Sequence, residues 1–277
     1  MNSPDFLVIG HVSKDLVGDG YRLGGTVAYA ALTARNLGRK VAMVTSAGPD
    51  LELNDCLSNV EVLCLPSRTT TTFVNLYTTG QRQQYIRSVA ESTPPESVPA
   101  AWRQTPIVHL GPIASEFDEE MMGLFPSSLL GLTPQGWLRQ WDEHGRVSPR
   151  RWARAEESLP RVDVLIVSED DMAGEASGLR SLLRLPRLAV VTQGAKGATL
   201  YSGGQISQFP SRPTELVEPT GAGDVFAAAF LVRLAETDDA FESTRFANVA
   251  ASLSVEKAGL ASVPQRADIE KQQASRQ

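Results

Sequence analysis

The sequence predicts an α/β fold built on a mostly parallel, doubly wound sheet. Short β-branched runs alternate with longer helical patterns along the 277 residues, which is typical of strands joined by crossover helices. The apolar runs at 107–110, 164–167 and 188–192 are continuous rather than alternating, as expected of parallel strands covered on both faces. We therefore expect three layers, α/β/α, in a single domain that spans residues 1–277.

The first elements set the pattern for the rest of the chain. A strand is predicted at 6–10, a helix at 27–37 and a second strand at 40–46. The second strand ends at Gly48-Pro49-Asp50, a sequence typical of a turn. Strand, helix and strand in this order predict a parallel β-α-β unit.

A Thr-rich segment interrupts this pattern. Residues 70–77 form a predicted strand, Thr78-Thr79-Gly80 a turn, and residues 83–87 a returning strand, which together favour a β-hairpin. The polar side chains of its strands place the hairpin on the rim of the domain. There it would cover a site as a lid, with a plain surface hairpin as the alternative, so we expect a small β lid insertion at about residues 68–90.

Composition excludes several classes of function. Net charge is −6 and no run of Lys or Arg is present, so no nucleic-acid partner is expected. The longest apolar run, 225–232, is far shorter than the roughly 20 residues of a membrane span, so no membrane partner is expected either. Cys56 and Cys64 offer neither a disulfide framework nor a zinc spacing, and residues 1–5 lack a basic flank. A cytoplasmic location follows as the expectation.

The most informative segment is 218–230, where three tiny residues and a carboxylate precede an apolar helix. The first N–H groups of a helix favour an anion, and Gly221, Ala222 and Gly223 would let a phosphate approach closely. Asp224 would then take a proton from a hydroxyl that attacks the phosphorus. The arrangement predicts phosphoryl transfer, and a plain turn capped by Asp224 is the alternative.

A second cluster of candidate residues lies near the N-terminus. Asp15 follows the first predicted strand, at the edge where open α/β sheets bind ligands, and its carboxylate is suited to accept hydrogen bonds from a polyol; a solvated loop aspartate is the alternative. Gly24 and Gly25 precede a small-residue helix, where substrate would lie against the backbone. The glycine patterns of dinucleotide-binding and P-loop proteins are absent.

Taken together, these segments resemble the ribokinase-like (PfkB-type) carbohydrate kinases over nearly the whole chain. Gly24-Gly25 with Asn36-Leu37-Gly38 resembles the N-terminal signature of that family, and residues 219–224 resemble its C-terminal signature. The Thr-rich hairpin resembles the family lid, and residues 191–198 resemble the nucleotide-binding strand and turn. Residues 247–251 and 256–259 resemble the helix and loop that flank the adenine.

The resemblance implies transfer of the γ-phosphate of ATP to a substrate hydroxyl, with Asp224 as the general base. Gly221, Ala222 and Gly223 would form the anion hole with it. The positions that the resemblance assigns to the nucleotide are Thr192, Gly194, Lys196, Gly197, Thr220 and Asn248. For Lys196, an exposed turn lysine is the alternative.

Two departures from the family pattern concern cations. The family usually has Asn-x-x-Glu where this chain has Ser168-Glu169-Asp170-Asp171, so Asp171 would act on Mg²⁺ through a bound water. Glu218 replaces the usual Asp at a position tied in some relatives to a monovalent cation. Dependence on a monovalent cation is therefore left open.

The acceptor is less clearly indicated. Residues 132–139 resemble a segment of members that act on inositol or other sugars, with Thr133 in place of Asp. Gln135 and Arg139 are its candidate substrate contacts, and a surface turn and helix is the alternative. The prediction is a kinase for a sugar or a cyclitol such as inositol. The alternatives are a nucleoside kinase and a non-catalytic sugar- or nucleotide-binding regulator on the same fold. In each case the protein is expected to be a monomer or a homodimer.

Overall fold

The computed structural model describes residues 3–53, 57–78, 81–172 and 176–275. Within these ranges the chain forms two sheets, a short two-stranded ribbon and six α-helices. The strands are β1 (Phe6–Ile9), β2 (Ser13–Val17), β3 (Gly20–Gly24), β4 (Val41–Ala47), β5 (Val60–Pro66), β6 (Thr71–Thr78), β7 (Gln81–Ser88), β8 (Ile107–Leu110), β9 (Leu129–Leu132), β10 (Arg139–Trp141), β11 (Val147–Pro149), β12 (Val164–Ser168), β13 (Leu188–Thr192), β14 (Ala198–Ser202) and β15 (Gln205–Phe209). The helices are α1 (Thr26–Asn36), α2 (Ala155–Ser158), α3 (Ala176–Leu182), α4 (Ala222–Thr237), α5 (Ala240–Ser254) and α6 (Arg266–Ala274).

The main sheet has nine strands in the order β15-β14-β13-β12-β9-β8-β1-β4-β5. All pairs from β13 to β5 are parallel, and β14 and β15 are antiparallel additions at one edge. The predicted mostly parallel sheet is therefore confirmed. The carboxyl ends of β1, β8, β9, β12 and β13 meet at one edge, where α/β proteins place their ligands.

The sheet is covered on both faces, which explains its continuous apolar strands. Phe6 and Val8 of β1 face one core together with α1, α4 and α5, whereas Leu7 and Ile9 face the other. Among the described residues, the second face carries the short helices α2 and α3 and stretches of 3-10 helix between Pro95 and Arg161. Three layers are present, but the second helical layer is thin.

The second sheet has four strands in the order β3-β2-β6-β7. Its β6 and β7 correspond to the predicted hairpin, whose turn residues Thr79 and Gly80 lie outside the described residues. The other half was not predicted, because β2 and β3 have no run of apolar residues. Strand β2 pairs in parallel with β6, so the segment just after β1 belongs to the same sheet as the hairpin.

Helix α4 is the most apolar helix, with nine buried residues among its 16. It packs against α1 and α5 on one face of the main sheet, so it is enclosed by protein on most sides. In the part of the chain that the structure describes, we find no helix with the length and apolarity needed to span a bilayer.

Candidate active site

The predicted anion site lies at the start of α4. Gly221 is the N-cap of this helix, with a left-handed φ of 82°, and Asp224 stands in the first turn. The Ala222 amide donates to the carbonyl of Pro219 at 3.2 Å, so this N–H is used within the turn itself. The amides of Gly223 and Asp224 are first-turn N–H groups, which have no acceptor inside a helix.

A tight contact explains why glycine occupies position 221. A Cβ at Gly221 would come within 2.4 Å of the ring of Tyr29, which projects from α1. Tyr29 is almost fully buried at 2% exposure, so its ring has little room to move. Helix α1 thereby sets the position of the loop that begins α4.

The Asp224 carboxyl group has an unusual environment. It retains some exposed surface at the edge of the sheet, but protein atoms surround the group on most sides. This burial raises its pKa from an ordinary value of 3.8 to about 6, against a hydrogen bond from the Thr26 side chain and the nearby charge of Arg139. The charge of Asp171 raises the pKa further. A carboxyl group with a pKa near neutrality is suited to take up a proton.

Asp171 lies at the centre of a polar cluster after β12. The Ser168 hydroxyl donates to Asp171 Oδ2 at 2.6 Å and accepts from the Asp171 amide at 2.9 Å. Gln135 Nε2 lies 3.4 Å and Arg139 Nη2 3.5 Å from Asp171 Oδ1. The two residues predicted as substrate contacts thus lie at the predicted metal site. The charge of Arg139 acts on Asp224 as well as on Asp171.

The predicted residues of the N-terminal half lie in or next to the second sheet, and the charge of Asp15 reaches Asp224. Asp15 lies within β2 of the second sheet, opposite Phe73 of β6 and Arg22 of β3, and not in a loop as its sequence context suggested. A Cβ at Gly24 would lie 2.5 Å from Asp15 Oδ2, so only glycine leaves this carboxylate its place. Gly25 is the N-cap of α1.

The residues assigned to the nucleotide lie at the end of β13. Thr192 is the last residue of that strand, and Gly194 and Lys196 bound the 3-10 turn that leads through Gly197 to β14. Asn248 of α5 is buried and donates to the carbonyl of Phe209 at 3.1 Å.

One ion pair and one loop residue complete the description of the predicted nucleotide residues. Lys196 Nζ lies 3.4 Å from Glu169 on the exposed surface. Thr220 belongs to the loop before α4, next to Gly221. Of the predicted nucleotide residues, Thr220 therefore adjoins the anion site, whereas Asn248 and Lys196 have protein partners.

Several residues of the site were missed by sequence reasoning. Thr26 hydrogen-bonds Asp224, and its place directly after the two glycines at a helix start was an available signal. Tyr29 and Arg22 carry no such signal, because the contacts of both join segments far apart in the sequence. Arg22 pairs with Glu218 through an Nη1 to Oε1 distance of 2.8 Å.

A buried histidine lies close to the site without facing it. His109 of β8 is fully buried, and its Nε2 lies 3.0 Å from the Thr133 hydroxyl. Burial lowers the pKa of His109 from 6.5 to about 3, so this ring is neutral at ordinary pH. Its role is to pack in the core beneath the carboxyl edge of the sheet.

Comparisons with known proteins support the predicted resemblance. Residues 139–266 match the pfkB family carbohydrate kinase model. The cytidine kinase of Thermococcus kodakarensis is 29% identical over 248 residues, which cover 82% of this chain and 87% of that protein. The ribokinase of Bacillus subtilis is 47% identical over 75 residues, which cover 27% of this chain and 26% of that protein.

Solved structures agree over nearly the full length. A pyrophosphate-dependent kinase of the ribokinase family, complexed with a pyrophosphate analog and myo-inositol, is 26% identical, with a TM-score of 0.81 over 96% of this chain and 99% of that one. Ribokinase of Arabidopsis thaliana, complexed with ribose and ATP, shares the fold at 22% identity, with a TM-score of 0.71 over 97% of this chain and 98% of that one. The predicted resemblance to the ribokinase-like, PfkB-type carbohydrate kinases is confirmed by the family match and by the kinases among the relatives and structural neighbours. The chain is a phosphotransferase with an alcohol group as acceptor.

Proposed function

We propose that the protein transfers the γ-phosphate of ATP to a hydroxyl group of a sugar or cyclitol, with Asp224 as the general base. The observation that carries this proposal is the Asp224 carboxyl group in the first turn of α4, with a pKa raised to about 6 by burial. At pH 7 to 8 the group is ionised, yet its proton affinity is higher than that of an exposed aspartate. It is thus matched to the removal of a proton from an attacking hydroxyl.

The proposed reaction moves one proton and one phosphoryl group. The acceptor hydroxyl gives its proton to Asp224 as its oxygen bonds to the γ-phosphorus, and the bond from that phosphorus to the β–γ bridging oxygen breaks. The first-turn amides of Gly223 and Asp224 and the dipole of α4 stabilise the charge on the transferred group. Arg139, whose charge acts on Asp224, would contact the same group.

The residues around Asp171 fit a magnesium ion that is held mainly by the donor phosphates. Among the described residues, no group of three His, Cys, Asp or Glu side chains could hold a metal on its own. Mg²⁺ commonly binds through one or two carboxylates, substrate phosphates and water, so Asp171, fixed by Ser168 at 2.6 Å, would act through a metal-bound water. The ion would supply neutralisation of phosphate charge.

The acceptor and the nucleotide have separate binding regions in this proposal. Asp15, Gly24 and Gly25 receive the acceptor, since Asp15 lies against Gly24 in the second sheet and its charge reaches Asp224. Thr192, Gly194, Gly197, Thr220 and Asn248 receive the nucleotide near the end of β13. Because ATP is the donor, the proposal also places the protein in the cytoplasm.

Two observations favour specific alternatives for the substrates. The cytidine kinase relative covers 82% of this chain, which favours a nucleoside as the second candidate acceptor. The pyrophosphate-dependent relative covers 96%, which favours pyrophosphate as the second candidate donor. Asn248 Nδ2 already donates to the Phe209 carbonyl, which is compatible with a phosphate donor that has no nucleobase.

A crossed panel of donors and acceptors tests the proposal. ATP and pyrophosphate, each with Mg²⁺, are offered with pentoses, hexoses, inositols and nucleosides, and the phosphorylated product is measured by mass spectrometry. The expected result is turnover with ATP and a sugar or inositol, lost in Asp224→Asn. Turnover with nucleosides alone, or with pyrophosphate alone, would replace the acceptor or the donor, and no product from any pair would reject the proposal.

A further inference from the structure

An ion pair joins the second sheet to the loop that forms the anion site. Arg22 lies on β3, and Glu218 lies just before the Pro219–Gly221 turn that begins α4. Arg22 Nη1 donates to Glu218 Oε1 at 2.8 Å. The contact spans 196 positions in the sequence and connects the sheet that carries Asp15 with the loop that carries Gly221.

Glu218 is held firmly enough to transmit this contact. Its second carboxylate oxygen accepts from the Gly259 amide at 2.9 Å, and its own amide donates to the carbonyl of Val255 at 3.1 Å. The side chain of Glu218 is 21% exposed, against 44% for Arg22. Glu218 is therefore fixed by hydrogen bonds within its own region, and Arg22 contacts it from β3 of the second sheet.

Tyr29 links the ion pair to the anion-site loop. Burial raises the pKa of the Tyr29 hydroxyl, and the charges of Glu218, Asp15 and Asp224 raise it further, whereas the charge of Arg22 lowers it. One phenol group thus lies within electrostatic reach of both members of the ion pair and of the Asp15 and Asp224 carboxylates. The same ring contacts Gly221.

We propose that Arg22 is a positioning residue that holds the anion-site loop, through Glu218, in register with the second sheet. The inference rests on the proposed function, because it concerns the alignment of the phosphate site near Asp224 with the acceptor site near Asp15. The two sites are carried by different parts of the fold, and in-line transfer requires their atoms to align. Arg22 touches neither phosphate nor acceptor in this proposal.

The alternative is an ordinary surface ion pair. Exposed pairs contribute little to stability, so loss of stability cannot separate the two possibilities, and the kinetic constants must do so. A positioning residue alters kcat when it is removed and leaves the KM values for donor and acceptor nearly unchanged. A residue that binds the acceptor raises the KM for the acceptor instead.

The experiment compares Arg22→Gln, Arg22→Lys, Glu218→Gln and the double variant Arg22→Gln/Glu218→Gln. We expect Arg22→Gln to lower kcat about tenfold, with both KM values within about twofold, because small misplacements of reacting groups have large kinetic effects. Arg22→Lys should recover most of kcat, and the double variant should be no slower than the slower single variant. Additive losses, or a change in acceptor KM alone, would overturn the proposal.

Arg187→Gln is the matched control. Arg187 forms an equally short exposed pair with Asp238, at 2.8 Å, but it precedes β13 and so lies at the edge of the sheet opposite the site. This variant should keep the kcat of the unaltered protein. A loss of kcat equal to that of Arg22→Gln would show that any surface pair has the same effect, and the positioning role would be rejected.

Hydrogen exchange gives a readout that does not depend on turnover. Peptides that cover residues 218–226 should exchange about tenfold faster in Arg22→Gln than in the unaltered protein and should be unchanged in Arg187→Gln. If the unaltered protein phosphorylates no acceptor, the proposed function fails while this measurement still tests the link. Unchanged exchange in Arg22→Gln would overturn the inference even in an active kinase.

Discussion

The ring of Tyr29 on α1 packs directly against Gly221, the N-cap of α4, so that no side chain fits between the two helices at this point. Because Gly221 also has a left-handed φ of 82°, two independent constraints require glycine there. The contact fixes the entry to α4 and thereby the place of Asp224 one turn later.

Gly221→Ala should reduce both stability and activity. A clash with a buried ring and a strained backbone are expected to lower the free energy of unfolding by about 1–3 kcal/mol. Urea denaturation measures this, with Gly223→Ala as the control for stability, since a Cβ at Gly223 meets no atom within 4 Å. Equal stability of the two variants would contradict the role assigned to Tyr29.

Asp224→Asn should lower kcat by about 10²-fold or more, the usual scale for a positioned base, while the protein becomes more stable at high pH. The folded protein holds the Asp224 proton more tightly than the unfolded chain does, since its pKa is about 6 rather than 3.8. This contribution to stability is complete below about pH 4 and is lost as the pH rises through 6.

The Asn variant lacks that loss. Its free energy of unfolding should exceed that of the unaltered protein by up to about 3 kcal/mol at pH 8 and should be similar at pH 3. Denaturation at the two pH values measures the difference. If Asp224→Asn were no more stable than the unaltered protein at pH 8, the ionised Asp224 carboxylate would not destabilise the folded state.

Arg139→Gln and Asp171→Asn should shift the pH dependence of kcat/KM in opposite directions. The charge of Arg139 lowers the pKa of Asp224 and that of Asp171 raises it. Without the guanidinium, the acidic limb of the profile should move to higher pH, and without the Asp171 charge it should move to lower pH. If the acidic limb moved in the same direction in both variants, it would report a group other than Asp224.

His109→Gln should make stability less dependent on acid. The folded pKa of His109 is about 3, against 6.5 in the unfolded chain, so its contribution to stability is present above pH 6.5 and is lost as the pH falls toward 3. Between pH 7 and pH 4 the unaltered protein should lose about 2–3 kcal/mol more than the variant. His144→Gln, at an exposed position, should follow the unaltered protein, and identical curves for all three would refute the assignment.

Asn75 and Gln84 are predicted to contact the acceptor from the second sheet. Gln84 Nε2 donates to Asn75 Oδ1 at 3.0 Å. Asn75 lies two residues beyond Phe73, the partner of Asp15, and so shares the face of Asp15. Phe73 packs on Ile113 of the main domain, which turns this face toward the site.

Asn75→Ala should therefore raise the acceptor KM about three- to tenfold, the effect of one hydrogen bond, with the donor KM unchanged. Leu76→Ala provides the control, because Leu76 points to the opposite face and is 46% exposed. Steady-state kinetics with each substrate varied in turn measures the effect. If the Leu76 variant raised the acceptor KM as much as the Asn75 variant, the sheet face would have been assigned wrongly.

The fold was largely predictable because it depends on local pattern. Continuous apolar strands such as 164–167 and 188–192 indicate burial on both faces wherever they occur, and β12 and β13 form where they were expected. The β2–β3 half of the second sheet was not predictable in this way. Ser13, Lys14 and Asp15 show no strand periodicity, and their pairing with β6 requires a partner more than 50 residues away.

The sequence by itself predicted the class of chemistry, because three tiny residues and a carboxylate at a helix start favour an anion beside a base and the other motifs follow in the order of a kinase family. Only the tertiary structure decided what surrounds that carboxylate. Thr26, Arg139 and Asp171 reach Asp224 from separate elements, and Arg22 reaches Glu218 across 196 positions. Charges act through space and burial depends on the packing of several elements, so the pKa of Asp224 and the alignment of its neighbours arise only when the chain has folded.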